Sequence, residues 1–308
     1  MLGERTRWTA SGRARLRWAG LAVGLSVLVG AVALGDRAEP DADPGLPIAS
    51  AAPRLLPEVG DPTPQPAAAP RPTPSPAAFE LWTLPYPDPI ELLPPGLPQT
   101  SVTDLAQLPR KAAAPDGAAI PVWTAPDDTV PPVLALPDDQ YGAAARWVVL
   151  DERPDWVQVL MPQGRRALPS QDPSGVNRTA GWVRATDVTV APEVSAVVVD
   201  LSDRMVHVTR PDGTNRSVPA AIGTPATPTP PGLAQVLTIT QSQVGLAVYT
   251  SAQSETIDSF LGSGGAVVAL HAGSGQGREV SNGCVRLTYA DFPAVKDLPV
   301  GTPILVVP

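Results

Sequence analysis

Forty of the 308 residues are proline, and eighteen of those lie between residues 40 and 98. Proline has no N–H and a fixed φ, so the chain cannot be an all-helical bundle. A run such as Pro62-Thr63-Pro64-Gln65-Pro66 fits neither a helix nor a central strand. Residues 37–115 are therefore expected to be an extended, Pro-rich linker. Inside it the apolar island Phe79, Leu81, Trp82, Leu84 and Tyr86 has no use in a plain spacer and is expected to dock on a folded domain. Folding falls to two later regions, residues 116–190 and 194–308.

Composition narrows the function classes. One Cys and two His are too few for a disulfide scaffold or a four-ligand zinc site, so no metal or other cofactor is expected. The net charge is −8, and Arg5, Arg7, Arg13, Arg15 and Arg17 sit at the extreme N-terminus. The remainder is more acidic still, which argues against a nucleic-acid partner. After those arginines, Trp18 to Gly35 is apolar or small except for Ser26, and as a helix would span about 27 Å at about 1.5 Å per residue. Residues 1–36 are expected to be a signal anchor, with Ala31-Val32-Ala33 offering the alternative of a cleaved signal peptide. The membrane would then be a partner through this segment. The positive flank places the chain beyond Gly35 outside the cytoplasm, in the cell envelope or secreted.

Both folded regions read as β. In the first, Ile120–Trp123, Arg146–Asp151, Trp156–Met161 and Gly181–Val188 alternate apolar and polar residues between Pro, Gly and Asp turns. The ending Gly181-Trp182-Val183-Arg184 resembles the close of a bacterial SH3-like barrel, a module that binds wall peptides or braces a catalytic neighbour. Trp123, Trp156 and Trp182 are expected in its core. In the second region, strands are expected at Ala196–Leu201, Met205–Thr209, Ser217–Ile222, Leu233–Thr240, Val244–Tyr249, Ala266–His271 and Ile304–Val307. One short helix is expected near Asp291–Leu298. His207 falls opposite Val206 and Val208 in its strand and is read as a surface residue. Asn177-Arg178-Thr179 and Asn215-Arg216-Ser217 match the glycosylation tripeptide but are read as turns.

The chemistry concentrates between His271 and Arg286. A thiol is a modest nucleophile until a base or a positive neighbour favours the thiolate. The only cysteine, Cys284, comes after His271 across a Gly-rich connection able to fold strand and turn together. Gly283 permits close backbone approach, so the Gly283 and Cys284 N–H groups are candidates to face an oxyanion. Histidine before cysteine is the reverse of the order in NlpC-type peptidases.

Ser281-Asn282-Gly283-Cys284-Val285-Arg286-Leu287 resembles the S-H-G-C-V-R-L signature of L,D-transpeptidases of the YkuD family, with His271 in place of the histidine of its upstream H-G element. Val197-Val198-Val199-Asp200-Leu201-Ser202, the loop Gly223-Thr224-Pro225-Ala226-Thr227-Pro228-Thr229-Pro230-Pro231-Gly232 and Gly301-Thr302-Pro303-Ile304 extend the likeness. The resemblance implies an antiparallel β-sandwich catalytic domain over residues 194–308. It implies attack by Cys284 on a peptidoglycan stem peptide and an acyl-thioester resolved by an amine to give 3-3 crosslinks, with carbapenem β-lactams as covalent inhibitors. His271 would be the base. Gly283, Ser281, Asn282, Arg286 and Gly273 would support the site, Arg286 by holding it or a substrate carboxylate. Two residues depart from the pattern. Asn282 replaces a second histidine and cannot take a proton, and Ala272 replaces the glycine after the first. Two alternatives stay open: a degenerate wall-binding protein, or an L,D-carboxypeptidase in which water resolves the same acyl-enzyme.

Overall fold

Alternating Val, Ala and Ile residues and abundant turn formers produce a mainly β protein. The computed structural model describes residues 75–308, which belong to one compact unit. The expected anchor or signal segment and most of the Pro-rich run lie outside the described residues.

The first region contains β1 (Lys111–Pro115), β2 (Ala119–Val122), β3 (Leu134–Pro137), β4 (Asp139–Gln140), β5 (Ala143–Ala144), β6 (Trp147–Arg153), β7 (Trp156–Leu160), β8 (Ala180–Arg184) and β9 (Val188–Pro192). Five of them form an antiparallel sheet in the order β8-β7-β6-β1-β9, beside a β2–β3 hairpin. Lys111–Pro115, expected from its composition to belong to the linker, is thus an interior strand of this sheet. Val122, Leu134, Trp147, Val159 and Val183 fill the core. Trp123 and Trp182 are buried, and Trp123 meets Trp156 edge-on at 5.2 Å between centroids.

The apolar island lies against this region. Phe79 stacks edge-on upon Trp123, and Ala135 N–H donates to the Pro85 carbonyl. Trp82, by contrast, stays exposed.

The second region contains β10 (Ala196–Asp200), β11 (Met205–Thr209), β12 (Asn215–Gly223), β13 (Gly232–Ser242), β14 (Gly245–Gln253), β15 (Val267–Ala272), β16 (Glu279–Ser281), β17 (Val285–Leu287) and β18 (Pro303–Val307). The sheet runs β11-β10-β18-β13-β14-β15-β17-β12-β16, and a further β11–β12 pairing closes it on itself. It is not purely antiparallel: β10–β18, β12–β16 and β15–β17 are parallel. The expected helix near Asp291–Leu298 is a single 3-10 turn, Phe292–Ala294. Ala294 and Val295 N–H groups reach back three residues, to the Asp291 and Phe292 carbonyls, as a 3-10 turn requires. Val197, Val206, Val236, Val248, Leu270 and Leu287 form the interior. His207 is exposed, its Nδ1 2.8 Å from Ser217 Oγ.

The two regions share a small apolar cluster of Leu108, Val148, Leu160, Ala196, Leu233 and Leu305. Through it reaches Gln235, wholly buried. Its Oε1 accepts from Val148 N–H at 2.7 Å and its Nε2 donates to the Leu160 carbonyl at 3.3 Å. Asn177, buried rather than available to a glycosyl group, makes a second bridge. Its Oδ1 accepts from Gln253 N–H at 2.8 Å while its Nδ2 donates to the Gln253 carbonyl at 2.8 Å, imitating strand pairing with a side chain.

Candidate active site

The parallel pairing of β15 with β17 matches Leu270 to Val285 and His271 to Arg286. Side chains alternate across a strand, so the two sets separate cleanly. Val268, Leu270, Val285 and Leu287 point into the core. His271 and Arg286 take the other face, and the same register brings Cys284 beside Ala269 on that face. All three line one open cleft of about 750 Å³ together with Ser281, Asn282 and Gly273. Every sequence-derived site residue except Gly283 therefore borders a single cavity, and Gly283 lies in the turn beneath it.

His271 is buried, and its Nδ1 lies 2.9 Å from the Ala272 carbonyl. A carbonyl can only accept, so Nδ1 carries the proton and Nε2 is left as the basic nitrogen. Burial lowers the imidazole pKa, the bond to Ala272 opposes this, and the Arg286 charge adds to the lowering. The half-buried Cys284 moves the other way. Desolvation raises its thiol pKa, against smaller lowering effects of the Ala269 backbone and Arg286. Both shifts favour the uncharged pair, thiol beside imidazole, over a resting ion pair.

The turn carrying the thiol is stapled from within and from behind. Ser281, 1% exposed, donates from Oγ to the Cys284 carbonyl at 2.5 Å and accepts from Gly283 N–H at 3.2 Å. Gly283 has φ +105°, a conformation side chains oppose. The expectation that its N–H faces an oxyanion meets a competitor, because that N–H already points to Ser281 Oγ. Behind the turn, Thr229 Oγ1 donates to the Gly283 carbonyl at 2.9 Å and accepts from Gly223 N–H at 2.9 Å. Thr224 N–H and Thr227 Oγ1 both donate to the Ser281 carbonyl. The Pro- and Thr-rich loop is thus the cradle of the cysteine turn, and although the sequence marks the loop, it does not display the contact by which Thr229 holds Gly283.

Arg286 lays its aliphatic stem across Gly273, whose absent Cβ would lie 3.1 Å from Arg286 Cδ. Among the described residues it forms no salt bridge. Lys296, unnoticed in sequence because it falls in the expected helix, also borders the cleft, and among the described residues no acidic side chain does. The cleft is electropositive and suits a carboxylate-bearing ligand. Asn282 is exposed at its rim. Among the described residues no cluster of three or more His, Cys, Asp or Glu side chains could hold a metal.

Residues 195–306 match the YkuD family, the L,D-transpeptidase catalytic domain. No curated protein matches the chain. Among solved structures, an L,D-transpeptidase from Mycobacterium tuberculosis H37Rv is 18% identical, with 52% of this chain and 96% of that one covered and a TM-score of 0.32. One from Mycobacterium smegmatis is 20% identical, with coverages of 50% and 91% and a TM-score of 0.31. L,D-transpeptidase 3 from M. tuberculosis, in complex with a faropenem-derived adduct, is 19% identical, with coverages of 52% and 97% and a TM-score of 0.32.

Proposed function

We propose that the chain is a cysteine-dependent L,D-transpeptidase acting outside the cytoplasm on peptidoglycan stem peptides. The observation that carries this reading is the pairing of β15 and β17, which sets Cys284 and His271 on one face at one cleft, with the histidine tautomer leaving Nε2 free. In the first step the Cys284 S–H proton passes to His271 Nε2 as sulfur bonds to the carbonyl carbon of the third stem residue. The bond to the terminal D-alanine nitrogen breaks, and the imidazolium returns its proton to that amine. An amine of a second stem then attacks the thioester, forming the 3-3 amide and releasing the thiol; water in its place would make the chain an L,D-carboxypeptidase. With Gly283 N–H directed at Ser281, Cys284 N–H is the backbone donor proposed for the oxyanion. Arg286, aided by Lys296, would hold a substrate carboxylate. The first region is proposed as an SH3-like brace, and residues 18–35 as the membrane anchor.

A carbapenem tests the reading, since an L,D-transpeptidase relative has been solved with imipenem. Wild type is expected to gain one carbapenem mass in intact-protein mass spectrometry, and Cys284→Ala none. An adduct that persists in Cys284→Ala overturns the mechanism. Sacculus binding by a wild type that forms no adduct selects the degenerate wall-binding alternative.

A further inference from the structure

A second cleft, about 480 Å³, adjoins the first, sharing Phe260 and Cys284 with it, and is bordered by Tyr249, Val267 and Ala269 of the catalytic sheet. Ser242 at the end of β13 and the following Gln243 and Val244 add to it, but part of the wall comes from outside that sheet. Pro89 and Ile90, from the Pro-rich segment, complete it beside Phe260 and Leu261.

This piece of chain is held in place by specific contacts. Gln163 Nε2 donates to the Pro87 carbonyl at 2.6 Å, and the buried Gln253 donates from Nε2 to the Pro89 carbonyl at 3.0 Å. Asp88 Oδ1 caps the bend by accepting from Ile90 N–H at 2.7 Å. Leu93 N–H then donates to the Arg165 carbonyl. The loop facing it is shaped to receive it: a Cβ on Gly264 would lie 2.9 Å from Ile90 Cγ2, and one on Gly265 3.1 Å from the Pro89 carbonyl oxygen. Arg165 ties that loop down in turn, donating to the Asp258 and Gly264 carbonyls. Ile90 remains half exposed, with its free side toward the cleft.

We propose that residues 87–91 form a specificity-determining strap of the active site, in which Ile90 supplies an apolar wall that contacts the hydrocarbon part of the peptide acyl donor beside Cys284. This rests on the transpeptidase reading. Wall contact of this kind binds ground state and transition state alike, so it acts on KM more than on kcat.

The test is steady-state release of D-alanine from a stem tetrapeptide by the full chain, alongside its carbapenem adduct. Ile90→Ala is expected to raise KM about fivefold and to leave kcat within about twofold, as loss of a partly buried aliphatic contact predicts. Gly265→Ala, which pushes the strap outward without altering Ile90, is expected to raise KM in the same direction. Leu92→Ala, on the same segment but away from the cleft, is expected to behave as wild type. An unchanged KM in both Ile90→Ala and Gly265→Ala, or an equal effect of Leu92→Ala, overturns the strap while leaving the transpeptidase reading intact. A wild type that takes neither carbapenem nor tetrapeptide overturns both.

Discussion

At the scale of single residues, the proposed reacting pair, Cys284 and His271, experiences opposed desolvation effects. Because burial raises the thiol pKa and lowers the imidazole pKa, acylation is expected to hold a plateau between the two values. The rate should fall as pH drops through the depressed His271 value, where the base becomes protonated and the attacking proton has no acceptor. Arg286→Gln removes a charge that lowers both groups, so the acid limb is expected to move to higher pH, measurable as the pH profile of the carbapenem adduct rate. Thr229→Val keeps the shape of the side chain but leaves the Gly283 carbonyl and Gly223 N–H without their partner. It is expected to destabilise the fold by about 2 kcal/mol, read by urea unfolding, and to slow acylation about tenfold through misplacement of the turn. Cys284 and His271 stand out as candidates in sequence because the chain has so few groups of their kind and because Ser281–Leu287 resembles a known signature. Thr229 does not, since its hydrogen bonds span the distance from Gly223 to Gly283, which only the folded chain brings together.

At the scale of elements, Met205–Thr209 is readable from its alternation and Pro303–Val307 from its short apolar run. The two elements that frame the thiol, β16 and β17, are three residues each, too short for a periodic signal. The parallel pairings are also hidden, because register between distant strands is fixed by packing and not by local composition. The helix expected near Asp291 is reduced to one 3-10 turn, since the N–H groups of Ala294, Val295 and Leu298 each reach back three residues and not four. The side-chain bridges between the two sheets are likewise illegible, yet they give definite expectations. Gln235→Leu orphans a buried N–H and a buried carbonyl, and is expected to lower stability by about 2 kcal/mol in urea unfolding. Asn177→Ala is expected to speed hydrogen exchange in residues 254–266, the loop directly after its Gln253 contact, while leaving exchange in β10 and β18 unchanged.

For the whole molecule, the reading of proline as spacer is too coarse. Proline disfavours helix and central strand, but it does not prevent a segment from docking on a folded region, as Phe79, Pro85 and Pro89 do. An extended chain has its carbonyls free, and Gln163 and Gln253 supply the donors. The strap carries a practical corollary. Its residues are upstream of β1, so a shortened protein begun at the first strand would keep the thiol and the imidazole but lose the strap together with the core side chains Leu93, Leu97 and Leu108, and would present an enlarged aperture. Donor preferences measured on such a trimmed fragment would describe a mouth with one lip missing, and inhibitors ranked on it would be ranked against a shape the intact chain does not have.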